Sequence, residues 1–516
     1  MGRRVLPGSP FIFNDVASSD FSETTNSAQF CATAGSKSVP VRSSAARRED
    51  ATVKRTRAGT MQLSCRARIV LVVARYTKLS EGSLNRRSDR LIGQSLPKNA
   101  AGAMKAMRYL LGLICCLSLT AADVPQLRQL QEKSRFFELR EALQEAGWNN
   151  PENLFYRALV ESRFGQEPAA VVDLQKFLAA SSDQAQQRKA YEEMASALLR
   201  LGRYGDAALA LSEVLRLTPL NDIDRAGTEN SRALYQSLAD ISPQTVEFGE
   251  ETAAQAEFGP LGSWDVPVEV NGHEGKWIFD TGANWSTVSE SEAAEMGLAL
   301  RETHTYVKGS TGKKNPLRVA IAGDLRFGNA HLRNVVFLVL SDKALYVGPL
   351  KYQIRGILGI PVLRALGRVA ISAKGVVRIE AKAASADGEP NLFLDGWDLI
   401  MDVRHGDGRL EMDLDTGANA TSLNPSFRDA LKLDEIASLK SDRDKTAGAG
   451  GIMTRKTQVL PTLRLDIFGR TEELTKVSVV GQQPTGDKSY RDGTLGTDAL
   501  ISGFTLDFRA MQLRLD

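Results

Sequence analysis

The spacing of hydrophobic positions divides most of the chain into two parts. From Val124 to about Asp240, apolar residues recur every three or four positions among many Ala, Leu, Glu, Gln and Arg residues, as in amphipathic helices. Near Pro243 the period changes to two, with apolar and polar residues in alternation, as in strands that have one buried face. The pattern therefore predicts an all-α domain at residues 123–243 and an all-β region at 244–516.

The helical part contains a loose internal repeat. The segment from Gly202 to Leu211, with Pro219 after it, is similar to the second helix of a tetratricopeptide repeat. A related spacing starts at Gly165, 37 residues earlier, and a weaker copy starts at Phe136. Such helical pairs stack because neither helix can bury its apolar face alone. We therefore expect two or three tetratricopeptide-like pairs that could dock a protein partner, with a generic helical bundle as the alternative.

The β-rich part presents the same layout twice. In the first copy, Val266–Val270 alternates in polarity, Asn271-Gly272 is a turn signal, and a second strand leads into Asp280. In the second copy, Leu399–Val403 alternates, a glycine-containing turn follows, and the next strand leads into Asp415. Each copy is therefore predicted to start with a β-hairpin that ends at an aspartate.

Both hairpins end in the pentapeptide D-T-G-A-N, at residues 280–284 and 415–419. An apolar-apolar-glycine element follows in each copy and ends at Gly359 or Gly496, which lie 79 and 81 residues after the respective aspartates. A short helix and a final pair of strands close each copy. One shared pentapeptide could arise by chance, whereas a shared order of elements along two successive segments indicates an internal duplication.

On these motifs, residues 246–516 resemble the retropepsin and pepsin family of aspartic peptidases, with D-T-G-A as in the retroviral type. The resemblance implies a bilobed all-β fold, with lobes at 244–385 and 386–516 that each supply one D-T-G loop to a shared cleft. It makes Asp280 and Asp415 the catalytic pair. The supporting loop residues would be Thr281, Gly282, Thr416 and Gly417. Because one chain carries both copies, the site would not require a homodimer.

The residue types of the motif suit the hydrolysis of an amide bond. That reaction needs a base that takes a proton from water and an acid that gives one to the leaving nitrogen. Two carboxyl groups held close together cannot both be charged, so they share one proton and fill both roles. The glycine permits a tight turn with backbone N–H groups near the carboxylate, and the threonines suit hydrogen bonds between the loops. No metal and no organic cofactor is implied.

In the family that these motifs resemble, the substrate is an extended peptide covered by a hairpin flap. Glycine-rich segments stand at matching places in the two copies, and the flap candidates are Gly309, Gly312, Gly448 and Gly450. Glycine-rich tips are equally expected in any surface hairpin. The flap prediction therefore has an ordinary turn as its alternative.

A secretory signal is predicted at residues 104–122. Lys105 and Arg108 precede the apolar run Tyr109–Leu119, which is too short to span a bilayer comfortably, and small residues suited to cleavage end at Ala122. We expect an exported protein, periplasmic or extracellular. A membrane-anchored protein is the alternative if the signal stays uncleaved.

Residues 1–103 are rich in Arg and Ser and show no sustained periodicity, so they are predicted to be unstructured. A start codon assigned too far upstream would explain them, and an organelle transit peptide is the alternative. Basic residues outnumber acidic ones there by more than two to one, whereas residues 123–516 carry an acidic excess. An acidic chain is a poor candidate for binding a phosphate backbone, so no nucleic-acid partner is expected.

The cysteines change the list of reactions that the exported chain could perform. All four, Cys31, Cys65, Cys115 and Cys116, precede the predicted cleavage site. A mature chain without thiols excludes a cysteine nucleophile, a zinc–cysteine centre and disulfide redox chemistry. The composition is otherwise that of an ordinary folded protein, with 42% hydrophobic and 25% charged residues.

The sequence therefore predicts an aspartic endopeptidase that hydrolyses a peptide or protein substrate with water activated by Asp280 and Asp415. Two alternatives stay open. The fold could be catalytically silent and act with the helical repeats as a peptide- or protein-binding module. The helical repeats could also carry the principal function, with the β region only processing the protein itself.

Overall fold

The structure, a computed structural model, describes residues 124–217, 220–308, 314–381, 388–448, 451–480 and 491–516. It describes the backbone but not the side chains of residues 308, 428–429, 443–448 and 451–456. The segments 1–103 and 104–122, the four cysteines and the flap candidates Gly309, Gly312 and Gly450 lie outside the described residues. All described residues belong to one compact unit.

The first part of the described chain is helical, as the spacing of apolar residues predicts. Its α-helices are α1 (Val124–Glu132), α2 (Phe136–Ala146), α3 (Leu154–Arg163), α4 (Glu167–Ala180), α5 (Gln184–Arg200), α6 (Tyr204–Arg216) and α7 (Asp222–Ser237). Residues four positions apart, such as Leu139 and Leu143 of α2, are fully buried, and each helix packs on the next. None of the helices in the described residues is long and apolar enough to cross a membrane.

Local signals explain where several of these helices begin and end. The side chain of Asp183 accepts a hydrogen bond from the N–H of Ala185 at the start of α5, and such capping satisfies a free N–H group of the first turn. Gly165 separates α3 from α4 and Gly202 separates α5 from α6, with φ angles of 82° and 69°. That left-handed conformation favours glycine, so the two glycines of the sequence repeat occupy equivalent turns.

The remainder of the described chain is rich in strands. In its first half the strands are β1 (Thr245–Phe248), β2 (Ala253–Gln255), β3 (Glu257–Phe258), β4 (Trp264–Val270), β5 (His273–Phe279), β6 (Ser286–Ser289), β7 (Leu300–Lys308), β8 (Lys314–Ala322), β9 (Leu325–Phe327), β10 (Ala330–Arg333), β11 (Val335–Leu340), β12 (Tyr346–Val347), β13 (Tyr352–Gln353), β14 (Gly356–Leu358), β15 (Arg368–Ser372) and β16 (Val376–Glu380). Two short helices, α8 (Glu290–Glu295) and α9 (Ile360–Ala365), lie between them.

In the second half the strands are β17 (Leu392–Asp395), β18 (Asp398–His405), β19 (Gly408–Leu414), β20 (Ser422–Leu423), β21 (Lys440–Gly448), β22 (Gly451–Ile467), β23 (Arg470–Val480), β24 (Gly493–Leu495), β25 (Gly503–Asp507) and β26 (Gln512–Leu515). One α-helix, α10 (Leu433–Ser438), precedes β21. The prediction of a helical region followed by a β-rich region is therefore confirmed.

The first half of the β region forms a sheet whose main strand order is β1-β10-β9-β4-β5-β14-β6-β11-β8-β7. Hairpin β4–β5 turns at Asn271 and Gly272, whose φ angles are 51° and 82°. Positive φ at both central residues is what a two-residue Asn-Gly hairpin turn requires. Strand β14 runs parallel to β5 and pairs Leu358 with Phe279, so it supports the end of β5 where Asp280 lies.

The second half repeats this arrangement in a sheet of order β17-β18-β19-β24-β20-β23-β22-β21. Hairpin β18–β19 corresponds to β4–β5. Strand β24 runs parallel to β19 and pairs Leu495 with Leu414, as β14 does with β5. The end of β19, where Asp415 lies, is therefore supported in the same way as the end of β5.

The closing strands of the two halves join in a third sheet, of order β2-β16-β15-β25-β26. Strands β15 and β25 pair antiparallel, from Arg368 with Asp507 to Ser372 with Gly503. The sequence predicts both strand pairs, but not that they join each other. Pairing covers edges that would otherwise present free N–H and C=O groups, and it connects the two halves through backbone hydrogen bonds.

The helical region packs on both halves of the β region. Phe393 of β17 contacts the rings of Phe136, Phe137 and Phe164, at centroid distances from 5.1 to 5.8 Å. On the other side, Asn230 of α7 forms hydrogen bonds with the backbone of β7. The helices therefore contact the sheets that carry both aspartates.

Candidate active site

The two D-T-G-A-N loops meet inside the molecule, although 135 residues separate their aspartates in sequence. The backbone N–H of Asp280 donates to the carbonyl of Leu358 at 3.1 Å, and that of Asp415 donates to the carbonyl of Leu495 at 3.0 Å. Each loop is therefore fixed to the parallel strand beside its hairpin. Both aspartates are buried, with 0% and 2% of their surface exposed.

The two threonines connect the loops through four buried hydrogen bonds. The N–H of Thr281 donates to Oγ1 of Thr416, and the N–H of Thr416 donates to Oγ1 of Thr281, both at 3.0 Å. Oγ1 of Thr281 donates to the carbonyl of Leu414 at 2.7 Å, and Oγ1 of Thr416 donates to that of Phe279 at 2.8 Å. Each hydroxyl thus acts as donor and acceptor at once, which fixes the spacing between the loops.

The motif glycines bring each loop against the aspartate of the other. A Cβ atom on Gly282 would lie 2.5 Å from Cγ of Asp415, and one on Gly417 would lie 2.5 Å from Cγ of Asp280. Real Cβ atoms do not come so close to other heavy atoms, so any side chain here would separate the carboxyl groups. The N–H groups of Gly282 and Gly417 also donate to Oδ1 of the aspartate in their own loop, both at 2.8 Å.

The carboxyl groups of Asp280 and Asp415 form a coupled pair. Burial and then the charge of Asp415 raise the pKa of Asp280 well above its usual range. Burial also raises the pKa of Asp415, although the N–H of Gly417 and a hydrogen bond from Asp280 oppose the increase. The direction in both cases is the one expected when two buried carboxyl groups share a proton.

The donors around the pair are not symmetric. Oδ1 of Asp415 accepts hydrogen bonds from the N–H groups of Gly417 at 2.8 Å and Ala418 at 3.1 Å. Oδ1 of Asp280 accepts one such bond, from Gly282, and the N–H of Ala283 has a further lowering effect on its pKa. The hydrogen bond between the two carboxyl groups raises the pKa of Asp280 and lowers that of Asp415, which favours the negative charge on Asp415 and the shared proton on Asp280.

Two further carboxylates lie beside the pair. A small cavity next to Asp415 is also lined by Asp398, Asp413 and Thr494, and by Gly282 of the opposite loop. Sequence reasoning missed these acidic residues. A comparison of the two copies could have found Asp413, because the position two residues before the motif aspartate is Ile278 in the first copy.

An aromatic cluster joins the first motif loop to the helical region. Trp285, which directly follows the motif, is 2% exposed. Its ring lies 6.2 Å from that of Tyr204 in α6 and 6.4 Å from that of Trp397, between β17 and β18. Sequence reasoning missed this contact as well, since nothing in the spacing of these residues indicates it.

Of the predicted flap positions, the structure describes the backbone of Gly448, while Gly309, Gly312 and Gly450 lie outside the described residues. Gly448 ends β21 and pairs with Gly451 of β22, while Gly450 lies outside the described residues. Strands β7 and β8 pair up to Lys308 and Lys314, on either side of the segment that holds Gly309 and Gly312. The described strands on either side of each glycine-rich segment therefore pair antiparallel. Within the described chain, no group of three or more His, Cys, Asp and Glu side chains is arranged to hold a metal ion.

Comparison with known proteins gives a match to one family model and a similarity to solved structures. Residues 266–362 match the family model described as aspartyl protease, a range that includes the first motif and its supporting strand but not the second motif. No curated protein sequence matches the chain. A solved structure of a retropepsin-like aspartic protease from Rickettsia conorii is similar at 20% sequence identity, over 27% of this chain and 96% of that chain, with a TM-score of 0.20. The family match supports a general aspartic protease fold.

Proposed function

We propose that the chain is an aspartic endopeptidase whose catalytic pair is Asp280 and Asp415. The observation that carries the proposal is the placement of two buried carboxyl groups against each other, each beside the glycine of the opposite loop. Buried carboxylates in proteins are normally paired with cations, whereas these two face each other. Two buried carboxyl groups placed side by side destabilise each other's charged form. Such a pair is suited to exchange protons with a substrate.

The proposed mechanism follows from the asymmetry of the donors. Charged Asp415 accepts a proton from a water molecule, whose oxygen bonds to the carbonyl carbon of the scissile peptide. Neutral Asp280 donates its proton to the carbonyl oxygen, which gives a tetrahedral diol. The C–N bond then breaks as Asp415 gives its proton to the leaving nitrogen, and Asp280 recovers a proton from one hydroxyl. Both carboxyl groups thereby return to their starting states.

We test the mechanism with Asp280→Asn and Asp415→Asn in separate proteins. Each change preserves the shape of the side chain but removes one proton carrier, so we expect kcat/KM on a peptide library to fall at least about 100-fold. Exposed Asp407 lies in the turn between β18 and β19, and Asp407→Asn serves as a control for the loss of a negative charge. The mechanism is wrong if either motif variant keeps near-normal turnover. A wild-type protein that binds peptides without cleaving them would instead identify a binding module.

We further propose that the β region is bilobed, with lobes at 244–385 and 386–516, and that a monomer is active. The support is that one chain provides both motif loops and that strands β15 and β25 connect the two halves. Specific activity should therefore stay constant on dilution across the range in which any dimer dissociates. A fall in specific activity that follows dimer dissociation would contradict the proposal.

The helical region at 123–243 is proposed to contain tetratricopeptide-like pairs that hold a protein partner or substrate. The equivalent turns at Gly165 and Gly202 support the pairs α3–α4 and α5–α6. Export through a signal at 104–122 is proposed on the sequence alone. Mass spectrometry of the protein from its native cell should find an N-terminus just after Ala122, and an N-terminus within 1–103 would contradict export by this signal.

A further inference from the structure

We propose that the second half of the β region provides a substrate pocket for a basic side chain, lined by Asp398 and Asp413 beside the catalytic pair. The inference rests on the proposed function and specifies its substrate class: peptides with lysine or arginine next to the cleaved bond. The two carboxylates belong to one half only, so the basic residue should be required on one side of the bond.

The position of the cavity makes it a substrate pocket. Its lining includes Asp415, together with Thr281 and Gly282 of the opposite loop. A peptide whose scissile carbonyl contacts the pair must place a neighbouring side chain within a few ångströms of this lining. The charge and size of the residues that line the cavity therefore determine which substrate side chain can bind there.

The strand register explains why the two acidic residues face the pair. Strands β18 and β19 pair antiparallel, with Ile400 opposite Asp413, so continuing the register places Asp398 opposite Asp415. Residues opposite each other, and residues two apart along a strand, share a face of the sheet. Asp398, Asp413 and Asp415 therefore lie on one face, and Thr494 of β24 stands beside Asp413.

The first half has apolar residues at the equivalent places. There Ile278 pairs with Ile357 of β14, as Asp413 pairs with Thr494, and both isoleucines are almost fully buried. By the same register, the residue opposite Asp280 is Ser263, where the second half has Asp398. The two halves therefore share the D-T-G-A-N loop, but only the second half has two carboxylates beside it.

Asp398 and Asp413 share their nearby cation with other carboxylates. Arg491 bonds to Asp395, and its Nε lies 3.9 Å from Asp413. The charge of Arg491 lowers the pKa values of Asp398 and Asp413, but it does not offset the opposing effects. Among the described residues no ion pair reaches Asp398. Burial and then the charge of Asp413 raise the pKa of Asp398 well above its usual range, and burial raises that of Asp413 to about 6.

A second observation indicates a ligand group at this place. The side chain of Asn284 is 2% exposed and lies close enough to Asp398 to lower its pKa. The amide N–H of Asn284 faces the carboxylate of Asp398, while its Oδ1 has no hydrogen-bond partner among the described residues, although buried amide groups normally have partners. A substrate that enters the cavity would meet the two carboxylates, with the amide of Asn284 beside Asp398.

The size of the cavity fits the end of a basic side chain. Its volume is about 20 Å³, and a cavity of roughly 10–15 Å³ is enough to hold a water molecule. An ammonium group has a similar size. Asp398 and Asp413 are half-buried, and a cation there would relieve the repulsion between them and provide charge-assisted hydrogen bonds.

The test uses peptides that differ only in the charge of one side chain. Mass spectrometry of library digests first identifies the cleaved bonds, and kcat/KM is then measured for the best peptide with lysine, arginine, acetyl-lysine or leucine beside the bond. We expect wild-type protein to prefer lysine or arginine over acetyl-lysine by at least about tenfold, because acetylation removes the charge while keeping the length. Equal values for lysine and acetyl-lysine would overturn the inference.

Variants that replace the second-half residues with their first-half counterparts provide the complementary test. Asp413→Ile with Thr494→Ile, and separately Asp398→Asn, should reduce the preference for lysine, and the double variant should favour leucine. Asp407→Asn serves as the control and should keep the wild-type preference. Circular dichroism and thermal unfolding establish that each variant is folded. The comparison of lysine with acetyl-lysine peptides uses the wild-type protein and therefore does not depend on the folding of any variant.

The outcomes distinguish failure of this inference from failure of the proposed function. Cleavage that Asp280→Asn abolishes, but that shows no preference for a basic residue, overturns the pocket and leaves the peptidase. Cleavage that persists in Asp280→Asn, or no cleavage by wild type on any library, overturns the proposed function and the pocket with it.

Discussion

Thr281 and Thr416 form a reciprocal pair of hydrogen bonds, in which the backbone N–H of each donates to the hydroxyl of the other at 3.0 Å. Both residues are fully buried. Their hydroxyls in turn donate to carbonyl groups at the end of the opposite strand. The spacing of the two carboxyl groups therefore depends on a structure to which each half contributes equally.

Replacement of one hydroxyl should destabilise this connection and reduce activity. Thr416→Val keeps the shape of the side chain but leaves the N–H of Thr281 and the carbonyl of Phe279 without partners. Since an unsatisfied buried polar group costs about 1–3 kcal/mol, we expect the free energy of unfolding to fall by about 2–4 kcal/mol. Thr416→Ser, which keeps the hydroxyl, is the matched control and should lose less. Urea unfolding measures both, and equal stability of the valine variant and wild type would contradict the role of the hydroxyl.

The stability of the protein should depend on the protonation of Glu411. Burial raises the pKa of this residue to about 8, so between its ordinary value of 4.5 and pH 8 the folded state binds a proton that the unfolded state has lost. Stability must then fall as pH rises through that window, by up to about 1.4 kcal/mol per pH unit. Glu411→Gln removes the proton uptake and should gain about 2–4 kcal/mol relative to wild type between pH 5 and pH 8.

Urea unfolding of both proteins at a series of pH values tests this expectation. Well below pH 4.5 the side chain is protonated in the folded and the unfolded state, so the difference between the two proteins should become constant. Parallel curves from pH 5 to pH 8 would show that Glu411 is charged in the folded protein.

The pH profile of activity should lie in mildly acidic to near-neutral conditions. The proposed mechanism needs the pair singly protonated, and burial raises the pKa values of both carboxyl groups, which moves both limbs of the profile to higher pH. Ala283 and Ala418 are fully buried beside the pair and have no hydroxyl to donate. A serine hydroxyl there would favour the charged form of the carboxylate and lower its pKa.

We therefore expect Ala283→Ser combined with Ala418→Ser to move the acid limb to lower pH. The measurement is kcat/KM against pH for the double variant and for wild type. An acid limb that stays in place or moves upward in the serine variant would show that the alanines do not set the working pH.

The helical region should control the order of the first long hairpin. Nδ2 of Asn230 donates to the carbonyl of Tyr306 at 3.0 Å, and its Oδ1 accepts from the N–H of Tyr306 at 3.1 Å. Asn230→Ala removes both bonds to β7, so we expect amide hydrogen exchange in residues 300–308 to become about tenfold faster, which corresponds to about 1.4 kcal/mol of local stability. KM should rise if this hairpin covers the substrate.

Glu229→Ala is the control for this change, because Glu229 is exposed on the same helix and does not contact β7 through a hydrogen bond within the described residues. Its exchange rates in β7 should match those of wild type. Unchanged exchange in Asn230→Ala would show that the hairpin is held by other contacts.

The sequence alone determined the features that depend on neighbours along the chain. The three-to-four spacing after Val124 and the alternation around Val268 predicted the change from helices to strands, because each element buries one face with its own period. The Asn271-Gly272 pair predicted its hairpin turn, since both residues tolerate positive φ. The duplicated pentapeptide selected Asp280 and Asp415 because its chemistry is contained in a few adjacent residues.

Only the tertiary structure decided what surrounds that chemistry. The hydrogen bonds between the two threonines and the pairing of β15 with β25 join segments more than a hundred residues apart, and no local period encodes such contacts. The contact of Asn230 with Tyr306 and the charge lining at Asp398 and Asp413 arise in the same way. The free energy of these features depends on which groups folding brings out of water together, and a single sequence does not specify those partners.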